Sequence, residues 1–263
     1  MDKNKEDSIF IKEVYSYYTK HGRHTLLWRK SITPYTILVS EIMLQQTQVI
    51  RVIPKFEYWK IKYPTLASLK KATLKEILLV WQGLGYQRRA KALFEIAQSY
   101  KKIPADFEAL CEMPGIGVYT ASAICAFAYN FFSHPVLETN IRTVLIECFF
   151  KNKKTVNDEL LYTTLKRLEE HAVEKKIGAK VWYYALMDYG AHLKESNISH
   201  NKKSTYYVKQ KPYKGSFREL RAKILFMITR EELIPTDNRT KEVIQKLIEE
   251  GYIIKKKGQY LIS

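Results

Sequence analysis

Glu41 is the single charged residue of an apolar run, Ile37-Leu38-Val39-Ser40-Glu41-Ile42-Met43-Leu44. On a buried helix its carboxyl would be desolvated and its pKa raised, which suits a general acid near neutral pH. On the solvent face of the same helix it would be an ordinary surface carboxylate, and the residues alone leave both readings open. Gln45 follows one helical turn later and shares the face of Glu41. A second stretch with chemistry in it is Met113-Pro114-Gly115-Ile116-Gly117-Val118-Tyr119. Pro114 sets the approach, and Gly115 and Gly117 permit positive φ and a close backbone neighbour. The amides that open the next helix then suit an anion such as phosphate. An ordinary connection between two helices has the same spacing, so the two readings of this turn stand even.

The elements that must position these residues read as helices. Thr33 is placed as an N-cap and Pro34 as the first helical residue of the run through Leu44. Further helical segments are expected at about 49–61, 65–71, 73–81, 87–101, 105–111, from Tyr119 onward, and at about 137–149, 157–173 and 179–192. Pro64, Gly83-Leu84-Gly85, Pro104, Pro135 and Gly178 punctuate them. Composition shifts after about residue 193. From His200 to Lys223 the basic residues are Lys202, Lys203, Lys209, Lys211, Lys214, Arg218, Arg221 and Lys223, against Glu219 as the one acid. Two helices at about 216–230 and 238–250 and a hairpin turning on Lys257-Gly258 follow. The expected organisation is a helical domain at 8–199, a basic linker at 200–215 and a small winged-helix-like α+β module at 216–263, with a plain surface subdomain as the alternative for the last.

The charge names a class of partner. There are 44 Lys and Arg against 27 Asp and Glu in 263 residues, a net charge of +17, which answers to a polyanion or an anionic surface. With 46% hydrophobic and 13% aromatic residues the chain forms a real core and is not disordered. No run of 18 or more apolar residues suggests a membrane span, and the start has no apolar segment of a secretory signal. The three cysteines, Cys111, Cys125 and Cys148, form no C-x-x-C pair, so disulfides and a zinc site are not expected and a reducing cytoplasm is.

Five motifs in order carry a resemblance. They are Leu27-Trp28-Arg29 with Pro34-Tyr35 and Ser40-Glu41-Ile42-Met43-Leu44-Gln45-Gln46-Thr47-Gln48-Val49, then Trp81-Gln82-Gly83-Leu84-Gly85-Tyr86, the 113–119 turn, Leu137-Glu138-Thr139-Asn140-Ile141, and Met187-Asp188-Tyr189-Gly190-Ala191. Over residues 10–192 the chain resembles the helix-hairpin-helix superfamily of endonuclease III and MutY DNA glycosylases, most of all the adenine glycosylases. The resemblance implies a mostly α fold of two helical subdomains with the cleft between them. It implies double-stranded DNA with a mismatched or damaged base as partner, bound by a monomer, in the cytoplasm or on a bacterial nucleoid.

What the resemblance implies for residues follows position by position. Glu41 would protonate the departing adenine and then help activate water. Glu138 would stabilise the cationic sugar, with Asn140 orienting it, although Asn140 also reads as a helix cap. Tyr119 stands where bifunctional relatives carry a Schiff-base lysine, so hydrolysis without strand cleavage is implied. Gln45, Gln46, Leu44 and Tyr86 are candidates for the gap left by the flipped base, and Leu44 reads equally as core. Arg29, the hairpin Pro114, Gly115, Ile116, Gly117 and Val118, and Lys202 and Lys203 are the remaining expected DNA contacts, and the family pattern allows an alkali ion on the hairpin carbonyls.

Three departures accompany the match. Glu138 stands for the family's aspartate, with Thr139 for its glycine, so the carboxylate is one methylene longer. The four-cysteine iron–sulfur loop expected after Gly190-Ala191 has no counterpart, since residues 192–215 contain no cysteine, and a cluster-free protein without cofactor is therefore expected. The basic tail stands where relatives read 8-oxoguanine. Removal of adenine opposite guanine or 8-oxoguanine is the expected activity, with thymine or uracil opposite guanine, or a catalytically weakened lesion binder, as the alternatives.

Overall fold

A computed structural model describes residues 3–205 and 212–263; Lys209 and Lys211 of the basic stretch lie outside them. In chain order the helices are α1 (Lys3–His21), α2 (Leu27–Lys30), α3 (Pro34–Leu44), α4 (Val49–Lys62), α5 (Leu66–Lys70), α6 (Leu74–Trp81) and α7 (Arg88–Ser99). They continue as α8 (Phe107–Cys111), α9 (Val118–Tyr129), α10 (Thr139–Phe149), α11 (Asp158–Glu174), α12 (Ala179–Glu195), α13 (Phe217–Thr229) and α14 (Asn238–Glu249). A hairpin of β1 (Ile253–Lys256) and β2 (Gln259–Ile262) ends the described chain. The mostly helical expectation holds. α1 is an element that the sequence reading did not place; Phe10, Ile11 and Val14 form its buried stripe among many charges.

Local chemistry accounts for the helix starts. Thr33 Oγ1 accepts from the Thr36 amide at 3.1 Å at the head of α3. Thr65 with Ser68 and Thr73 with Glu76 form reciprocal capping boxes for α5 and α6. Asp106, Asn157, Ser216 and Asp237 cap α8, α11, α13 and α14. In the hairpin Ile253 pairs with Ile262 and Lys256 with Gln259. Its two turn residues, Lys257 (φ 49) and Gly258 (φ 82), both lie in the left-handed region, as a tight two-residue turn requires.

The described chain falls into two compact units that alternate along the sequence. The first holds residues up to 41, 104–112 and 116–205; the second holds 42–103, 113–115 and 212–263. In the first, α12 packs on α1, α9 and α10. Its core includes Trp182, Val144, Leu145, Leu161 and Leu165, each worth roughly 1.5–3 kcal/mol of burial for the aliphatic side chains. Asp7 on α1 is buried and paired with Arg167 on α11 at 2.7 Å. In the second unit Trp59 meets Trp81 edge to face at 5.8 Å, and α7 packs on α5 and α6.

The tail expected as a separate module from residue 216 belongs in space with the 42–103 segment. α13 packs on α6 and on α14. Arg230 donates to Gln82 Oε1 at 2.5 Å, Lys75 pairs with Glu231 at 2.6 Å, and Lys91 donates to the Glu250 carbonyl. These links run over roughly 150 residues of sequence, which is why a linear division misses them.

Candidate active site

α3 is apolar nearly all round, and Ile37, Leu38, Val39, Ile42 and Met43 are all buried. Glu41 is carried in with them and is 6% exposed. Of the two readings of this residue, the structure takes the desolvated one. Burial raises the Glu41 carboxyl to about 7, against the opposing effect of its hydrogen bond from Tyr119, and the nearby Glu138 charge pushes the same way as burial. Tyr119, in the first turn of α9, donates its hydroxyl to Glu41 Oε2 at 3.2 Å. Burial first, then the charge of Glu41, raises the Tyr119 phenol well above its ordinary value, so it remains a neutral donor.

Glu138 caps α10. Its Oε1 accepts the backbone amides of Asn140 at 2.7 Å and Ile141 at 2.9 Å, and its Oε2 accepts from Asn140 Nδ2 at 3.2 Å. Burial pushes the Glu138 carboxyl up, while these amides and the Lys194 and Arg23 charges pull it down. Lys194, on α12, donates to Asn140 Oδ1 at 2.6 Å. An ammonium has only donors, so this contact makes the Asn140 oxygen face Lys194 and its NH2 face Glu138. The longer carboxylate of Glu138 is thus held by three hydrogen bonds. α12 reaches this position because Gly190 has no side chain; a Cβ there would lie 2.3 Å from the Asn140 carbonyl oxygen. Lys194 escaped the sequence reading, since nothing in it links residue 194 to residue 140.

Arg29 is corrected from a DNA contact to an internal residue. Its side chain is 5% exposed and makes a two-pronged pair with Asp188, Nη1 to Oδ2 at 2.6 Å and Nη2 to Oδ1 at 2.9 Å. Its guanidinium lies 4.0 Å from the Tyr184 ring centroid. A group so enclosed cannot reach a phosphate. Burial pushes Asp188 up, yet the hydrogen bonds and charges of Arg29 and Arg23 bring it below its ordinary value. Arg23 completes the cluster through Nε to Oδ1 at 2.6 Å. The Arg29 charge also tempers the rise at Glu41.

Where α3 ends, one residue organises the turn. Arg89 is 4% exposed, and its Nη1 donates to the carbonyls of Ile42, Met43 and Gln45 at 2.9, 2.9 and 2.6 Å. Its Nη2 donates to Thr47 Oγ1 and to the carbonyls of Leu84 and Gly85 at 3.1, 2.9 and 3.1 Å. A cation at the C-terminus of a helix complements its dipole. Burial lowers Arg89 only to about 10, so it stays charged. Arg89, Leu93 and Ile96 share one helical face, and an arginine in that apolar register was the signal available in sequence. Leu44 and Gln45 are partly exposed and Gln46 is exposed, with Gln46 (φ 54) and Tyr86 (φ 46) both in the left-handed region. Leu44 is therefore not fully core.

In the 113–118 turn Gly115 has φ +73, and a Cβ there would lie 2.7 Å from the Ala92 Cβ, so glycine is required. Gly117 caps α9 and has no side chain with which to bond the first amides of that helix. Pro114 is partly exposed and Gly115, Gly117 and Val118 are exposed. Ile116 is corrected: its side chain is 5% exposed and belongs to the core, so only its backbone can serve DNA. Lys202 is exposed, while Lys203 donates to the Lys151 carbonyl at 2.6 Å, both within a short 3-10 turn.

Residues 39–175, just over half the chain, match the family model described as HhH-GPD superfamily base excision DNA repair protein. The chain is similar to the adenine DNA glycosylase of Buchnera aphidicola subsp. Acyrthosiphon pisum, 40% identical over 146 residues that are 54% of this chain and 41% of that one. It is similar to the adenine DNA glycosylase of Mycolicibacterium smegmatis, 44% identical over 144 residues, 52% of this chain and 48% of that one. The chain thus spans less than half the length of these curated relatives. Among solved structures, a thermostable thymine-DNA glycosylase matches with TM-score 0.60 and 23% identity over 79% of this chain and 99% of that one, a likeness of fold.

These relatives correct the expectation of a protein without cofactor. Adenine glycosylases of this kind typically carry an iron–sulfur cluster, and the expectation had rested on one cysteine-free segment, so the absence of a cofactor is not assigned to this chain. The cysteines described do not fit such a cluster: Cys111, Cys125 and Cys148 lie on α8, α9 and α10. Among the described residues no group of three or more His, Cys, Asp or Glu could hold a metal.

Proposed function

Because the chain belongs to the HhH-GPD superfamily of base excision DNA repair proteins, we propose that it is a hydrolytic DNA glycosylase that removes adenine mispaired with guanine or 8-oxoguanine. The observation that carries this reading is a buried carboxyl near pKa 7, Glu41, in contact with a phenol rather than an amine, Tyr119. A protonated Glu41 donates its proton to a ring nitrogen of the flipped base as the C1′–N bond breaks. The electron pair leaves with the base, and the cationic sugar is stabilised by the Glu138 carboxylate, which Asn140 and two backbone amides hold in place. Water then adds at C1′ and gives its proton to Glu41, which restores the acid. Tyr119 has no amine with which to form a Schiff base, so the sugar is released as an abasic site and the strand stays intact. Flipping costs a few kcal/mol, and in this reading contacts of Leu44, Gln45 and Gln46 with the DNA help to offset it. The protein acts as a monomer on double-stranded DNA in the cytoplasm.

The test is incubation with duplexes bearing A:8-oxoG, A:G, T:G and U:G pairs, with strand breakage read before and after alkali. Alkali-dependent breakage at adenine alone is expected. Breakage at thymine or uracil replaces the substrate, breakage without alkali ends the hydrolytic reading, and tight mismatch binding without breakage leaves a lesion binder.

A further inference from the structure

The excision chemistry makes no use of a cavity of about 500 Å³ in the second unit, enclosed by the 83–87 loop and α13. That volume is typical of a small-ligand site. Arg51, Arg218 and Arg221 line it, and among the described residues no carboxylate does. Arg221 is paired with Glu250, and the other two cations, Arg51 and Arg218, call for an anion. The rings of Tyr86, Tyr213 and Phe217 also line it, and they call for a flat, apolar body. Arg218 joins the two halves: its Nη1 donates to the Tyr86 hydroxyl at 2.6 Å and its guanidinium lies 5.6 Å from the Tyr86 ring centroid. Arg51 is held by the Gly83 carbonyl, and Arg221 by Glu250 and the face of Tyr252. The guanidiniums are thereby positioned before any ligand arrives. Tyr86 and Gln46 line the same space in left-handed backbone, a strained conformation that persists only where the surroundings hold it.

A nucleotide combines a flat ring and an anion at short separation. We propose that this cavity receives a single unstacked nucleotide of a DNA strand, its base against Tyr86 and Tyr213 and its phosphate on Arg218 and Arg51. The choice of a strand over a free nucleotide rests on the DNA reading of the preceding section. The tail then takes part in binding, because α13 and Tyr213 furnish most of the cations and rings.

Three ligands test it by fluorescence anisotropy at one fixed salt concentration: a fully paired duplex, the same duplex with one extrahelical nucleotide, and free dGMP. The intact chain should favour the bulged duplex by about tenfold, the scale of one stacked base. Arg218→Gln and Tyr213→Ala should each bring that ratio close to one. The ratio removes the general loss of affinity that follows from deleting a charge. Tyr213 is half exposed, so its variant keeps the test available if Arg218→Gln fails to fold; circular dichroism checks both. No preference in the intact chain, or a preference untouched by both variants, overturns the proposal. Binding of dGMP that is lost in Arg218→Gln while the duplex ratio stays constant also overturns it, in favour of a free-nucleotide site. A chain that excises no base but shows the Arg218-dependent preference refutes the proposed function alone.

Discussion

The Lys194 ammonium donates to Asn140 Oδ1 at 2.6 Å, and by doing so determines which group Asn140 offers to Glu138. Lys194 therefore acts through an intermediary on Glu138, the carboxylate proposed to stabilise the sugar. Lys194→Met should free the Asn140 amide to rotate and leave Glu138 with less cationic support. The expected result is a fall in kcat of about tenfold or more, with the acid limb of the pH–rate profile moved to higher pH. Lys194→Arg should restore part of both. A variant that loses rate with an unmoved acid limb would mean that Lys194 only supports the fold.

Glu41 gives a prediction in pH. Its carboxyl titrates at about 7 because of burial, so the acid form is lost above pH 7 and the excision rate should fall about tenfold per unit there. Glu41→Gln should remove about two to four orders of magnitude of rate while duplex affinity is kept. Persisting excision would reassign the acid.

The same group predicts stability. The folded state holds the Glu41 proton up to about pH 7, whereas the unfolded chain releases it near 4.5. Between those values the folded state binds more protons, so its stability falls as pH rises. Glu41→Gln lacks this loss and should be more stable than the parent at pH 8 by up to about 3 kcal/mol. Urea unfolding at pH 5 and pH 8 measures it, and a gap that does not widen with pH contradicts the burial argument.

Arg29→Met separates an internal ion pair from a phosphate contact. Asp188 would remain buried with Arg23 as its one guanidinium partner, at a cost of about 3–5 kcal/mol in unfolding experiments. The slope of log affinity against log salt should stay the same, whereas loss of a phosphate contact lowers it by about one.

Arg89→Met should destabilise the protein by at least about 2 kcal/mol, because the carbonyls at the end of α3 and in the Leu84–Gly85 turn lose their donor. Arg89→Lys should recover little, since one ammonium lacks the fork that serves both turns. Full recovery by lysine would show that charge alone is what matters there.

Much of this was legible in sequence, for definite reasons. α3 announces itself through Thr33, Pro34 and an unbroken apolar run. The 113–118 turn does so through its glycines, and the terminal hairpin through Lys257-Gly258. Glu41 and Tyr119 were found by motif. The pairings that make the site work were not legible, because each joins positions far apart: Arg29 with Asp188, Lys194 with Asn140, Tyr86 with Arg218. Helical periodicity tells which face is apolar, but not which distant acid waits beneath it. α1 was missed for a related reason, its stripe of Phe10, Ile11 and Val14 being short beside its charges.

The alternation of the two units along the chain has a consequence for synthesis. α6 is made long before α13, yet α13 packs on it together with α4 and α7, and carries Arg218 and Arg221 of the cavity. During translation the 42–103 segment must wait with that surface uncovered while more than a hundred residues, most of them belonging to the other unit, emerge first. Such an interval favours aggregation or chaperone capture. A ribosome-stalled chain ending before residue 212 would thus be a partly finished second unit.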